Sequence, residues 1–393
     1  MAISVEEALR LIREDAVPLG NEAVSLEHLA GRVLAEDLSA DRPFPPYDRI
    51  MMDGVALNAD AFEAGQRIFP VQEFQPAGMS PVTLQSPGHC IEIATGASLP
   101  LGCNAVVMYE QLNIKDGAAH ILCDDIRHGQ HIHPQASDRK QGDIIAPRGF
   151  ICGAAEVGAA ATVGKSTVTV VRQPRIVFVT TGDELVDVDI TPAPHQIRKS
   201  NAYALGALFG FPTSVSHLPD NRGKLSQFFE TASTDFDVIV LCGAVSKGKR
   251  DFVPEVLSEL GATQVFHGVH QRPGKPMWFG RLGDTRIFGL PGNPVSTFLC
   301  GLRYLHAWIG KAQGIPPFVQ TARLTEAVTF EPALTYFLQV KLQDGKAIPV
   351  PGRGSGDHAN LVDADGFLEL PADRNHFTIG ERFPVHPYRR QSL

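Results

Sequence analysis

The segment Asp237 to Asp251 reads DVIVLCGAVSKGKRD: an apolar run, Val238 to Leu241, breaks at Gly243 into Ser246, Lys247, Gly248, Lys249 and Arg250 before Asp251. VPEVLSELG follows, with Val253, Val256, Leu257 and Leu260 at helical spacing. A buried strand that runs through a Gly/Ser/Lys loop into a helix start holds phosphate well. Backbone N–H groups converge there, the helix dipole is positive, and glycine allows close approach. The same residues also fit a solvated strand–helix connection, and their spacing matches no Walker motif. This stretch alone leaves both readings open.

Three further loops carry polar groups after apolar strand patterns: Thr181-Gly182-Asp183-Glu184, Pro219-Asp220-Asn221 and Pro291-Gly292-Asn293-Pro294. Bare carboxylates beside a phosphate repel it, so acids gathered with an amide-rich loop imply a divalent cation such as magnesium. Each acid also has an ordinary structural role, since Asp251 can cap its helix and Asp220 can hold a turn. Earlier in the chain, Pro43, Pro45 and Pro46 stiffen an approach to Asp48, Arg49 and Asp53, which reads as a site rather than an interdomain hinge. Asp138, Arg139 and Asp143 lie in a polar loop. His128, His131 and His133 cluster locally, but no Cys or spaced carboxylate completes a ligand set, and no metal is assigned to them.

The elements that must position these residues follow from periodicity. Ser4 and Glu7 make a capping box ahead of a helical face of Val5, Ala8, Leu9 and Ile12. SLEHLAGRVLAED reads as a second short helix. From about Ile68 to Ile132, CIEIATGASLP, AVVMYEQLNI and AHILCDDI are short strands of a small inserted β domain, with Thr95-Gly96 in a turn. AAEVGAAATV is helical, and Thr167 to Val171 is a bridging strand. From Arg175 strands and helices alternate, with a hairpin at Gly283-Asp284 and a long closing helix from Pro294. That alternation predicts a doubly wound, mainly parallel α/β domain, in which ligands sit beyond the carboxyl ends of the strands, where all four loops fall. After Gly314-Ile315-Pro316-Pro317 the chain turns to β character again, a small barrel or sandwich interrupted by the polar run Gly352 to His358.

The bulk numbers fit a globular protein: 393 residues, 44% hydrophobic, 20% charged, net charge −8. That charge excludes a general nucleic-acid binder, and no apolar run is long enough to span a bilayer. The N-terminal MAISVEEALRLIRED is acidic and amphipathic, unlike a signal or transit peptide. The cysteines, at 90, 103, 123, 152, 242 and 300, form no CxxC pair, which fits a reducing compartment and a cytoplasmic location.

The ordered motifs PFPPYDRIMMDGVA, ATGASLPLGCNAVVMYE, TTGDELV, CGAVSKGKRDF, RPGKPMWFG and GLPGNPVSTF resemble the molybdopterin molybdenumtransferases, the MoeA and gephyrin E-domain family, nearly end to end. The resemblance implies an N-terminal helical/mixed domain (1–41 with 138–170), an inserted β domain (42–137), a MogA-like α/β molybdopterin-binding domain (171–316) and a C-terminal β barrel (317–393). It implies a homodimer with the site between one subunit's α/β domain and the partner's β regions. It further implies a transient contact with the molybdopterin adenylyltransferase, and no part for nucleic acid or membrane. The implied reaction takes adenylylated molybdopterin and molybdate as substrates and releases AMP with Mg²⁺. Asp53, Asp138, Glu184, Asp220 and Asp251 fall on catalytic positions, with Glu184 and Asp251 as metal ligands. Thr95, Gly243, Ser246, Gly248, Lys275, Pro291, Pro294, Ser296 and Ser355 fall on substrate-binding positions, Lys275 and Ser296 toward molybdate.

The chain departs from the family pattern at four places. GGVS is Gly243-Ala244-Val245-Ser246, GED is Ala136-Ser137-Asp138, the acid before the SN pair is Lys199, and a barrel arginine aligns with Gln339. A neutral Gln does not replace a guanidinium as an oxyanion clamp. These departures motivate an alternative, a non-catalytic paralogue that binds molybdopterin or nucleotide, or acts as a dimeric scaffold. A pyrophosphatase on a CinA-like α/β domain is a third reading, which leaves both the N-terminal half and the C-terminal β domain without a role.

Overall fold

The computed structural model describes residues 2–243, 252–352 and 354–389. The chain forms two compact units, one of Glu22–Val170, the other of Met1–Asn21 with Val171–Leu393.

In the first unit, six short strands form one sheet in the order Ala105–Met108, Gly54–Leu57, Cys90–Ile93, Ile68–Gln75, Ala118–Ile121, Leu112–Lys115. Alternate side chains of these strands feed two small cores. Val55, Leu57, Phe69 and Val107 pack on one face, and Ala56, Ile91, Ile93 and Val106 on the other. A third core joins Leu29, Leu34, Leu38, Val168 and Val170 to the helix Ala154–Thr162. The second short helix expected from SLEHLAGRVLAED is absent beyond one turn, Leu26–His28. Gly31 adopts φ 79° and donates its N–H to the Cys152 carbonyl at 2.7 Å, and Leu34 then bridges Val170. An apolar pattern at helical spacing is spent here on strand-like pairing.

In the second unit, helix α1 (Val5–Asp15) starts at Ser4, whose Oγ accepts the Glu7 N–H at 3.1 Å. Only half of the capping box forms, because the Glu7 carboxylate turns to Arg10 at 2.7 Å. The buried face is Val5, Ala8, Leu9 and Ile12, as the spacing predicts.

The central sheet comprises β1 (Ile176–Thr181), β2 (Ser214–Leu218), β3 (Val238–Cys242), β4 (Thr263–His267), β5 (Trp278–Leu282) and β6 (Thr285–Leu290). Their order is β2-β1-β3-β6-β5-β4, with β2, β1, β3 and β6 parallel and β5 antiparallel to both neighbours. Every residue of β1, β3 and β6 is buried; β1 and β3 accordingly open as apolar runs, whereas β6 carries Thr285 and Arg286, the latter paired with Asp15 at 2.7 Å. One sheet face packs on α1, α2 (Asn201–Phe209) and the closing helix, with Phe178, Val240, Leu205 and Trp308 in that core. The other packs on α3 (Arg222–Asp235) and α4 (Val253–Glu259), with Val179, Leu241, Phe229 and Val256. The domain is doubly wound.

The closing helix begins as α5 (Pro294–Cys300), passes through a π turn at Gly301–Leu305 and continues as His306–Ala312. Beyond it, β7 (Gln320–Leu324), β8 (Thr335–Gln343), β9 (Lys346–Pro349), β10 (Gly366–Leu370) and β11 (Arg382–Pro387) pair in the order β8-β9-β7-β11-β10. β10 also pairs with β8, which closes a five-stranded barrel around Leu324, Val340, Leu368 and Val385. Gln271–Arg272 adds in parallel to the start of β8, tying the RPGKP turn to the barrel. No helix among the described residues is long and apolar enough to cross a membrane.

Candidate functional site

Strand register gathers the loops of the α/β domain. Thr181 pairs with Leu218, Thr180 with Cys242, and Cys242 with Leu290, so the carboxyl ends of β1, β2, β3 and β6 lie side by side. The segments Gly182–Glu184, Pro219–Asn221 and Pro291–Pro294 all leave from that edge, as does Gly243, whose N–H donates to the Leu290 carbonyl at 3.0 Å.

A cleft of about 700 Å³ opens there, lined by Thr181, Glu184, Lys199, Asn201, Gly243, Pro291 and Pro294 among others. The Glu184 carboxylate is exposed and makes no hydrogen bond or ion pair among the described residues. Lys199 is the opposite case: its side chain is 12% exposed, and its Nζ lies 2.8 Å from Asp187 Oδ1. That hydrogen bond and charge hold the Asp187 carboxyl below its ordinary range. His217 lies close by, accepting or donating at 3.1 Å with Thr180 Oγ1; burial, and then Lys199, lower its pKa and favour the neutral ring.

The PGNP loop is clamped from several sides. Asn201 Nδ2 donates to the Gly292 carbonyl at 2.8 Å and to Thr297 Oγ1 at 3.3 Å. Thr297 Oγ1 donates to the Pro291 carbonyl and to the Asn293 carbonyl, the latter at 3.1 Å. Pro294 sits in the first turn of α5, where its missing N–H costs nothing. From the barrel side, Ser355 accepts from Asn293 Nδ2 through Oγ at 2.9 Å and from the Val295 N–H through its carbonyl at 3.1 Å.

A second cleft, of about 520 Å³, adjoins the first through Pro276, Pro291 and Asn293 and runs between the RPGKP turn, the start of α5 and the barrel. It holds Lys275, Arg272, Ser296, Ser355 and Gln339. Gln339 Oε1 accepts from Asn360 Nδ2 at 2.9 Å, whereas its buried Nε2 has no partner among the described residues. A buried donor without an acceptor is costly unless a ligand supplies one. The turn itself stands on Gln271, fully buried, whose Oε1 accepts a hydrogen bond from the Tyr304 hydroxyl and whose Nε2 donates to the Pro273 carbonyl at 3.0 Å.

Asp220 is half-buried at the carboxyl end of β2, outside the lining of either cleft; the neighbouring Asn221 caps α3, accepting from the Lys224 N–H at 3.0 Å. Ser246, Gly248 and Asp251 lie outside the described residues.

The remaining predicted residues belong to the first unit. Asp53 Oδ1 accepts the Thr95 N–H at 2.7 Å, joining the MDG and ATGA motifs. Tyr109 donates to Glu92 at 2.6 Å, and burial, then Glu92, push its hydroxyl up to about 12. Asp138 accepts from His133 at 2.8 Å. The histidine cluster is splayed rather than convergent: His128 turns to Asp60, His133 to Asp138, and no metal-holding group of His, Cys, Asp or Glu occurs among the described residues. Sequence reasoning missed Asn201 and Thr297 as loop clamps, Asn360 as the partner of Gln339, and His133 and Arg49 beside Asp138. The SN pair at the start of α2 was the available signal for the first; the others depend on long-range pairing.

Three family models match in order: the MoeA N-terminal region (domains I and II) over residues 3–164, a probable molybdopterin binding domain over 177–309, and the MoeA C-terminal region (domain IV) over 321–388. A molybdopterin molybdenumtransferase of Synechocystis is 38% identical across 98% of this chain and 100% of its own. The Bacillus subtilis protein of that name is 30% identical across 99% and 95%. A solved moeA protein of molybdopterin biosynthesis from Pyrococcus horikoshii superposes with TM-score 0.84 at 29% identity, covering 99% of this chain and 100% of that one.

Proposed function

The chain belongs to the molybdopterin molybdenumtransferase family, and from that premise we propose that it inserts molybdate into adenylylated molybdopterin with magnesium-dependent release of AMP. The observation that carries this reading is the pair of adjoining clefts that share Pro276, Pro291 and Asn293. One is large and edged by strand ends, suited to a pterin–nucleotide polyanion. The other is smaller and holds Lys275, Arg272, Ser296 and the unpaired Gln339 amide, suited to a compact oxyanion.

The reaction breaks a phosphoanhydride-type bond, which needs positioning and charge neutralisation more than a protein nucleophile. Asn201 and Thr297 fix the Pro291–Pro294 loop against which the substrate lies. Lys199 supplies a cation at the mouth of the larger cleft. Lys275 and Ser296 face molybdate in the smaller one, with Gln339 Nε2 as a further donor. Glu184, exposed and unpaired, fits a magnesium ion that keeps several waters and takes one or two carboxylates besides substrate phosphates; Asp251 is the second carboxylate of the proposal. Magnesium, when bound, supplies neutralisation of the phosphate oxygens. Asp53, Asp138 and Asp220 complete the acid set. A homodimer with its site shared between subunits, a transient contact with the adenylyltransferase, a cytoplasmic setting and the four-domain division belong to the same proposal, supported by the motif resemblance.

Complementation of a strain that lacks its molybdenumtransferase, scored by the activity of a molybdoenzyme, tests this function. Rescue supports it. No rescue by a folded, expressed protein contradicts it and favours a non-catalytic paralogue.

A further inference from the structure

Asp138 sits in a loop whose backbone is pinned to the proline segment before Asp53. The Asp138 N–H donates to the Phe44 carbonyl at 2.9 Å, the Ala136 N–H to the Pro45 carbonyl at 3.0 Å, and the Gln135 N–H to Asp48 Oδ1 at 2.8 Å. Ahead of that loop, Ile132–His133 pairs antiparallel with Arg49–Ile50, so His133 stands directly opposite Arg49. Their side chains continue the pairing. Arg49 Nη2 lies 3.1 Å from His133 Nδ1, and His133 Nε2 lies 2.8 Å from Asp138 Oδ1.

The chemistry of the three groups fixes the direction of both bonds. A guanidinium has donors and no acceptor, so His133 Nδ1 must be the acceptor and carries no proton. The ring proton is then on Nε2 and is donated to the carboxylate. A doubly protonated ring would face the guanidinium with two like charges and no lone pair to offer it. His133 is 25% exposed, against 53% for Asp138, so the ring is the sheltered member and the carboxylate the presented one. Oδ1 is occupied by His133, with Ser137 Oγ at 3.4 Å, while Oδ2 has no partner among the described residues.

We propose that His133 is a positioning residue for Asp138: Arg49 holds it in the Nε2–H tautomer, and that tautomer orients the carboxylate and leaves Oδ2 free. The inference rests on the reading of Asp138 as a member of the acid set. His133 touches no substrate and acts through Asp138 alone, which is the arrangement by which an orienting neighbour fixes ring and ligand geometry elsewhere.

Two measurements on the full-length protein test it. Side-chain ¹⁵N spectra of His133 report which ring nitrogen bears the proton, with no need for turnover. They are expected to show Nε2–H in the parent and a mixed population in Arg49→Met; an Nδ1–H tautomer in the parent overturns the inference. For AMP release, His133→Ala is expected to lower kcat roughly 10–100-fold with little change in KM, as loss of an orienting neighbour does. His133→Gln, whose Oε1 can accept from Arg49 and whose Nε2 can donate to Asp138, should recover kcat to within a small factor. In an Asp138→Ala background, His133→Ala should cost little more. If His133→Ala keeps the parent kcat while Asp138→Ala loses it, the positioning role is wrong and the function stands. If the parent releases no AMP, the function is wrong and the spectra alone decide the tautomer.

Discussion

The carboxylate of Glu184 folds back over the Cα of Gly182, so close that a Cβ added at Gly182 would lie 2.5 Å from Oε2 and 2.7 Å from Oε1. Gly182 also adopts φ 125°, a region closed to side chains without strain. The glycine of TTGDELV is therefore what lets Glu184, the one acid lining the larger cleft among the described residues, occupy its place.

Gly182→Ala should displace Glu184 and strain the turn, costing about 1–3 kcal/mol of stability, and should lower AMP release. In a Glu184→Gln background the same change should lower turnover far less, because the group it displaces has already lost its charge. Thermal denaturation and AMP-release assays on the two single variants and the double variant measure this; full additivity in turnover would separate Gly182 from Glu184.

Lys199 stands where the resembling family has an acid, yet it lines the cleft and its side chain is held by Asp187. Lys199→Glu should raise KM for adenylylated molybdopterin by roughly 10–100-fold, the scale of one charged hydrogen bond lost. The difference from the parent should shrink as salt is raised, because part of it is Coulombic. KM measured across an ionic-strength series checks this, and a salt-independent difference would point to a shape change instead.

Much of this arrangement is legible in the sequence. Apolar runs at β1 and β3 within an alternation of strands and helices announced a parallel sheet, and the loops after β1, β3 and β6 carry Gly with acidic residues or Pro at the edge where such sheets bind ligands. α1 and the hairpin at Gly283-Asp284 followed from local pattern alone. The stretch after Gly31 did not, because Leu34 pairs with Val170 far along the chain and periodicity cannot register such a partner. Whether the C-terminal strands form a barrel or a sandwich hung on one pairing, β10 with β8, also invisible locally. The Arg49–His133–Asp138 chain escaped for the same reason: the histidines read only as a local cluster without a completed ligand set, and it is long-range strand register that sets His133 opposite Arg49.

Asp237 ties the start of β3 to Arg172 at 2.6 Å and Arg175 at 3.2 Å, with its side chain 16% exposed. Burial raises its pKa, but the two arginines and the Arg175 N–H outweigh that and hold the carboxyl down to about 2, against an ordinary 3.8. A carboxyl depressed in the folded state contributes stability that is fully present above its unfolded pKa and is lost as pH falls through its folded one. Asp237→Asn should therefore destabilise the protein at neutral pH by about 2–3 kcal/mol. The gap to the parent should narrow as pH falls from about 4 toward 2. Urea unfolding at a series of pH values checks the slope; a gap that widens on acidification would reverse the assignment.

The most direct test of the central claim is AMP release by the purified protein supplied with adenylylated molybdopterin, molybdate and magnesium. The parent should release AMP and molybdenum cofactor in equal amounts. Asp53→Asn should be close to inactive while folding normally, because its remaining carbonyl oxygen can still accept the Thr95 N–H. Binding of the adenylylated pterin without AMP release by the parent, or undiminished turnover by Asp53→Asn, would contradict the account.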